Sequence, residues 1–312
     1  MIRTFCAALM GLIALACAPA WGATLTATPA TFVKVLSAAK PGDRIVLAAG
    51  AYGLQRPRKL DFTPAVTVDA TLASDFAFYG TDLAGLTFAG GSWASFRIDR
   101  GCRIVVEGGT FVSAEPGEGT GILINGGCDV AIRGNRLAGY KNGISAASIN
   151  GYVIEGNGLS WMRSDGLRAG LSRNGRIVGN MVQGTMTVGD EHPDCIQLWS
   201  RPGQIARDVL IEGNTCVNED SQGIGLFNHV RDGVDDGGYD NITIRNNLLI
   251  VGRPNGLTVT GGRNTVLENN VVRTWPGAKW QAKITITGGS VARCGNSVGV
   301  GAGRKASADP AC

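Results

Sequence analysis

The chain has 312 residues, of which 47 are glycine and 17% are charged, and its formal net charge is +4. Glycine is about twice as frequent as in an average protein but follows no three-residue period, which excludes collagen. The low charged fraction argues against coiled coils and helical bundles, whereas 44% apolar residues are enough to build a core. Composition therefore favours a turn-rich β protein in which glycine occupies turns.

The first 23 residues are predicted to be a secretory signal peptide. Arg3 supplies an early positive charge, an apolar run extends from Phe5 to Ala18, and small residues follow. This run is too short and wrongly flanked for a membrane span, and no later stretch reaches that length. We therefore expect a periplasmic or secreted protein whose residues 24–312 form one domain.

A short amphipathic helix is predicted at residues 31–36, followed by turn-and-apolar segments at 41–47 and 50–53. From residue 121 two short sequence motifs alternate, and the usual repeat length is 22–23 residues. One motif is like Gly121-Ile-Leu-Ile, and the other ends in Gly-Asn or Asn-Asn. Short alternating strands joined by turns that tolerate left-handed backbone are what a parallel β-solenoid requires. The repeated asparagine is predicted to be structural; it recurs as Asn135, Asn157, Asn180, Asn214, Asn247, Asn270 and Asn296.

This arrangement resembles the right-handed parallel β-helix superfamily of pectin- and alginate-active enzymes over about residues 25–300. The resemblance implies an all-β, right-handed parallel β-helix with an N-terminal cap helix. The cap is needed because an uncovered end coil would expose core and strand edges.

The spacing of the cysteines provides a check on this alignment of successive coils. Cys102 and Cys128 each precede an equivalent glycine by six residues, so they are predicted to stack one coil apart. Neighbouring strands lie about 4.8 Å apart, which falls within the Cα separation of a disulfide. We therefore predict a Cys102–Cys128 bridge, which export permits. The pairing of the other four cysteines stays open, with a bridge between the last two as one hypothesis: Cys195, Cys216, Cys294 and Cys312.

Longer loops interrupt the repeat in adjacent coils, and both histidines of the predicted mature chain, His192 and His229, lie in them. Insertions of this kind in repeat proteins cluster on one face, often the binding face. The same alignment stacks Asp165 on Asp194. Two such carboxylates could share a Ca²⁺ with Asp190 or Glu191 as further ligands, pair with Arg168, or leave one protonated. A structural role, with the aspartates bonding local backbone amides, is the remaining interpretation.

The outward positions of these coils include Arg168 and Gln197, and two residues further on Trp199 and Phe227. The two aromatic rings are predicted either to pack against sugar rings or to lie beneath the long loops as a satellite core.

Two enzyme classes fit these residues. In a lyase or C5-epimerase of uronic acids, Ca²⁺ or an arginine would neutralise the substrate carboxylate, and one of the loop side chains would remove the C5 proton while a second acts as acid. Alginate epimerases of this fold carry an Asp-Pro-His cluster, but here the order is reversed as His192-Pro193-Asp194, so residue roles are not transferred. The arginine candidates are Arg168, Arg201 and Arg231, and the candidates for base and acid are His192 and Tyr239. His229 is a further candidate catalytic residue, with no step assigned to it.

In a hydrolase, Asp165 and Asp194 would instead be the paired carboxylates, although the motifs that mark β-helical polygalacturonases are absent. A third hypothesis is a non-catalytic protein that binds polysaccharide or acts as an adhesive scaffold. For all three we expect an anionic polysaccharide as partner, no nucleic acid, no membrane span and a monomer.

Overall fold

The structure is a computed structural model that describes residues 22–189, 191–300 and 304–312. The predicted signal peptide, apart from its last two residues, lies outside this range. Within it, one short helix, α1 (Phe32–Ala38), buries Phe32 and Leu36 against the first coil, as the amphipathic pattern predicts. No helix among the described residues has the length and apolar character needed to cross a membrane.

The rest of the described chain is dominated by strands. In the N-terminal half these are β1 Thr24–Ala27, β2 Arg44–Leu47, β3 Gly50–Gln55, β4 Arg58–Asp69, β5 Ala73–Ala89, β6 Ser92–Glu107, β7 Thr110–Val112, β8 Glu118–Arg133, β9 Arg136–Ala138 and β10 Tyr140–Glu155. In the C-terminal half they are β11 Gly158–Met162, β12 Leu167–Gly170, β13 Arg173–Val178, β14 Met181–Thr185, β15 Asp194–Trp199, β16 Ala206–Glu212, β17 Thr215–Asn218, β18 Gln222–Leu226, β19 Val230–Arg231, β20 Val234–Asp235, β21 Tyr239–Arg245, β22 Leu248–Val251, β23 Asn255–Glu268, β24 Val271–Thr274, β25 Lys283–Cys294, β26 Ser297–Val300 and β27 Arg304–Ala308.

Each coil contributes a strand segment to three faces, A, B and C, and pairs in parallel with the next coil. Face A contains β12, β15 and β18, and face B contains β13, β16 and β21. Face C contains β9, β11, β14 and β17. The long strands β8, β10 and β23 bend from face A into face B at a corner that we call the AB corner. The structure thus has the predicted parallel β-helix architecture.

The core lies inside the coils because alternate residues of every strand point inward. In the first coils it is aromatic: Phe76 stacks on Trp93, and Phe78 stacks on Phe96. Later coils fill the same space with Ile, Leu and Val, such as Ile196 and Ile224.

Two disulfides join neighbouring chain segments. Cys102–Cys128, predicted from the register, links β6 and β8 with Cα atoms 4.4 Å apart. Cys294–Cys312 ties the C-terminal tail to β25. Cys195 and Cys216 are free and buried.

Candidate functional site

The predicted outward row on face A is present in the backbone register. Ser145 pairs with Arg168, Arg168 with Gln197, and Gln197 with Gly225. Because period-2 alternation sends these side chains to one side of the sheet, they form a continuous outer surface. Trp199 is the next outward residue after Gln197 on the same strand.

Two loops rise from the AB corner beside this row. The first contains a turn at residues 201–204, where Arg201 and Gln204 pair through both backbone N–H groups. The second contains the hairpin of β19 and β20, whose two-residue connection, Asp232 and Gly233, has positive φ at both positions, as a type I′ turn requires. The longer repeat interval after Gly223 is therefore a small antiparallel hairpin.

Face A and these two loops enclose an open cleft of about 440 Å³. Its lining brings together seven residues that the sequence predicted as site residues: Arg168, Gln197, Trp199, Arg201, Phe227, His229 and Arg231. Sequence reasoning missed four others that line it: Leu198, Ser200, Pro202 and Asp236.

The aromatic side chains of the cleft pack directly against glycine residues. A Cβ atom at Gly170 would lie 1.9 Å from the indole of Trp199, so only glycine leaves room for this ring. A Cβ atom at Gly225 would meet the ring of Phe227 in the same way. The Arg201 guanidinium lies 5.0 Å from the Trp199 ring centroid, a cation–π contact. Trp199 thus lines the cleft and also positions Arg201. The register could have revealed Gly170, because it pairs with Trp199 in the next coil.

The cleft carries more positive than negative charge. Its charged lining residues are three arginines and one aspartate. Among the described residues, neither Arg201 nor Arg231 has an ion-pair partner, and both are exposed. Arg168 lies deeper; its Nε atom is 3.2 Å from Oδ2 of Asp165. The N–H is not aimed at that oxygen, so the contact is an ion pair without a hydrogen bond. The cleft can therefore receive a negatively charged group.

Asp165 and Asp194 are neighbours, as predicted, but they lie beneath the surface and outside the cleft lining. Only 6% of Asp165 and 2% of Asp194 is exposed. Oδ1 of Asp165 accepts a hydrogen bond from the backbone N–H of Asp194 at 3.1 Å, and Oδ2 of Asp194 accepts one from Gln197 Nε2 at 2.9 Å. This geometry does not support the hydrolase hypothesis, because a substrate would not reach the pair.

Burial raises the pKa of Asp165, while the nearby Arg168 charge opposes that effect. Burial and the adjacent Asp165 carboxylate raise the pKa of Asp194 well above its ordinary value. Oδ1 of Asp194 has no hydrogen-bond partner. Of the three predicted solutions for this pair, the structure shows the ion pair between Asp165 and Arg168.

The described residues do not fit the predicted calcium site. Both carboxylate oxygens of Glu191 accept hydrogen bonds from Arg163, at 2.8 and 2.9 Å, so they are not free to ligate a metal. Of the other predicted ligands, Asp194 is buried and accepts from Gln197 through Oδ2, and Asp190 lies outside the described residues. Asp165, which could have shared the ion, is paired with Arg168. The one group of potential ligands close enough for a metal among the described residues contains the Cys294–Cys312 disulfide and is unrelated to the cleft.

Two predicted proton-transfer residues need correction. Tyr239 is completely buried; its hydroxyl lies 3.0 Å from the Leu198 carbonyl and 3.1 Å from the Phe227 carbonyl. Burial raises its pKa further, so it is not placed to act as a base. His192 is exposed near Asp165 but does not line the cleft. Of the two histidines, only His229 lines it.

Comparison with known proteins agrees with the fold. A family model described as a right-handed β-helix region matches residues 117–291. No curated protein matches the chain significantly. An alginate lyase from Paenibacillus is similar in structure, with a TM-score of 0.54 and 16% identity over 86% of this chain and 99% of that one.

Two further structures show how widely the fold is used. The surface adhesin PfbA of Streptococcus pneumoniae has a TM-score of 0.55 and 10% identity, over 86% of this chain and 82% of that one. The A-module of a mannuronan C-5 epimerase from Azotobacter vinelandii has a TM-score of 0.51 and 11% identity, over 87% and 94%. At these identities the likeness establishes the fold alone. The family model covers more than half of the chain, and the protein belongs to the right-handed β-helix family.

Proposed function

We propose that the protein is an extracytoplasmic lyase or C5-epimerase of an anionic, uronate-containing polysaccharide, and that the cleft on face A is its active site. The observation that carries the proposal is that three arginines and His229 line one open cleft. The structural likeness to an alginate lyase and a mannuronan epimerase supports the choice of substrate class. Two disulfides support an oxidising compartment.

The chemistry assigns a role to each group. Arg201 and Arg231 would bind the uronate carboxylate, since neutralising it stabilises the carbanion that forms when C5 loses its proton. His229 would remove that proton. In elimination, the electron pair forms a C4–C5 double bond as the C4–O bond breaks, and the leaving glycosidic oxygen takes the proton that His229 removed. In epimerisation, water on the opposite face of the ring supplies the proton that returns to C5, and His229 releases its proton to solvent. Neither route uses a metal held by the described residues.

The test is incubation of the protein with alginate and polygalacturonate, with and without EDTA. Elimination would raise ultraviolet absorbance through the new conjugated double bond, and epimerisation in heavy water would place deuterium at C5. We expect His229→Ala to abolish the reaction, with a loss of about 100-fold or more.

His192→Ala is the matched control, because it removes the other histidine of the described chain and lies outside the cleft. If His192→Ala were inactive and His229→Ala active, the catalytic histidine would be His192. New reducing ends without a double bond would indicate hydrolysis. Binding without any chemical change would favour the non-catalytic hypothesis, and an effect of EDTA would restore a metal to the mechanism.

A further inference from the structure

A groove runs along the AB corner, outside the cleft. It is formed by three adjoining cavities of about 360, 500 and 430 Å³. Lys59, Asp82 and Arg100 line both the first and the second cavity, and Gly127 lines both the second and the third. These shared walls make the three cavities one continuous depression.

The register gives the length of this groove. Successive coils contribute one corner residue each, and each is the backbone partner of the next. At the usual strand spacing, the six steps from the first to the last residue span about 29 Å. The column runs Asp61, Ala84, Cys102, Cys128, Asn150, Arg173 and Arg207. The Cys102–Cys128 disulfide fixes its middle covalently.

The groove is strongly basic. Seven lysine and arginine side chains line it, against two aspartates. The aspartates are already paired, Asp82 with Arg100 and Asp61 with Arg103. Arg207 lies 3.8 Å from Asp208. In the described part of the chain, Arg58 and Arg173 have no ion-pair partner, so each end of the groove keeps a positive charge.

One end of the groove meets the cleft. The turn at residues 201–204 separates them: Gly203 and Gln204 line the groove, while Arg201 lines the cleft. The Gln204 Nε2 group donates to Ser148 Oγ and to the Leu171 carbonyl, both at 3.1 Å, which holds the turn against the corner. A polymer that leaves the cleft over this turn enters the groove.

The groove suits a polysaccharide better than a nucleic acid. Its only aromatic lining residue in the described chain, Tyr79, has the guanidinium groups of Arg56 and Arg97 at 5.7 and 4.8 Å from its ring centroid. The ring is therefore engaged, and the groove lacks the free aromatic platforms on which proteins stack bases. The disulfide in its floor also belongs to oxidising compartments.

We propose that the AB-corner groove is a second binding site for the same anionic polysaccharide, which holds the chain extending from the unit in the cleft. This inference rests on the proposed function. Because one chain engages both sites, the second contact is intramolecular and raises affinity only for chains long enough to span the turn. The groove therefore makes the protein select long polyanions.

The test measures binding of alginate polymer and of an alginate trisaccharide at low salt. The groove variant Arg58→Gln, Arg173→Gln, Arg207→Gln removes three exposed charges from its two ends. We expect it to raise the Kd for polymer roughly tenfold or more, to flatten the salt dependence, and to leave the Kd for trisaccharide within about twofold. The control variant Lys34→Gln, Lys40→Gln, Arg176→Gln removes the same charge from exposed sites outside the groove and should stay within about twofold for both.

Equal weakening by the groove and control variants would overturn the proposal, because it would show an effect of net charge alone. Unchanged polymer binding by the groove variant would also overturn it. A DNA oligonucleotide that displaced alginate from the groove at lower concentration would overturn the choice of polysaccharide. If the polymer binds through the groove but undergoes no reaction, the proposed function fails and the groove stands. If wild type reacts with alginate while the groove variant binds polymer normally, the proposed function stands and the groove proposal fails.

Discussion

Two columns of stacked polar residues run through the coils, and they differ in chemistry. The asparagine column lies between faces B and C, and the aspartates Asp165 and Asp194 lie at the start of face A. From Asn157 to Asn296, each asparagine Oδ1 accepts from the backbone N–H and the Nδ2 group of the preceding asparagine, at 2.8–3.2 Å over six successive pairs. A side-chain amide both donates and accepts, so this column continues without an unsatisfied atom.

The aspartate column cannot repeat in this way. A carboxylate has no side-chain N–H, so after Asp165 accepts from the Asp194 backbone the column has no side-chain amide donor with which to continue. One oxygen of Asp194 is left without a partner, and burial raises the pKa of both aspartates. The asparagine column stabilises the fold, whereas the aspartate column carries a cost that Arg168 partly offsets beside the cleft.

Breaking the asparagine column should cause the largest loss in the free energy of unfolding. Asn214→Ala removes the acceptor of Asn180 and the donor to the Ile177 carbonyl and Asn247 Oδ1. Several buried groups would lose their partners, so we expect a loss of about 3 kcal/mol or more in the free energy of unfolding, measured by urea denaturation. Asn125→Ala, at an exposed asparagine outside the column, is the control; an equal loss there would show that the column is not special.

Asp194→Asn should stabilise the protein at neutral pH. In wild type the pKa of Asp194 is higher in the folded state than in the unfolded state, so the folded protein retains a proton that the unfolded chain releases. Stability therefore falls as the pH rises from about 4 to the raised folded value, and the loss persists above it. The asparagine cannot ionise, and its oxygen can still accept from Gln197.

Urea midpoints between pH 4 and pH 8 measure this difference. We expect wild type and Asp194→Asn to be similar at low pH and to diverge as the pH rises, with the variant more stable by about 1–3 kcal/mol at pH 7. Parallel curves would show that Asp194 does not titrate between these values. A variant less stable than wild type at pH 7 would show that the charged form is needed for folding.

The sequence predicted those features that depend on the number of residues between equivalent positions in successive coils. The β-helix, the Cys102–Cys128 bridge and the row from Ser145 through Arg168 and Gln197 all follow from equal spacing, because parallel coils convert spacing directly into contact. The stacking of Asp165 beneath Asp194 follows from the same rule.

The site features that the sequence did not predict depend on the direction in which each loop leaves its coil. His192 and His229 occupy similar insertions, yet only His229 lines the cleft, because the first loop leaves the opposite end of face A. Tyr239 reads as part of the hairpin loop but begins strand β21 opposite Ala206, which buries it. Glu191 reads as a free acid, but Arg163 comes from the preceding coil to pair with it. Chain position alone does not give these directions.

Asp165→Asn should have the smallest effect on stability, and it tests whether the aspartate column influences binding in the cleft. Asp165→Asn keeps an oxygen for the Asp194 N–H and removes the ion pair with Arg168. The Arg168 side chain is 32% exposed, the Asp165 side chain is 8% exposed, and the N–H is not aimed at the carboxylate. Losing this ion pair is therefore largely offset by no longer burying a charged carboxylate, and the unfolding free energy should change by less than about 1 kcal/mol. Arg168 would then face the cleft with its charge uncompensated, and affinity for an alginate trisaccharide should rise about two- to fivefold. Asp194→Asn leaves this ion pair intact and is the matched control. If both variants changed trisaccharide affinity equally, the Arg168 charge would not be what connects the column to the cleft.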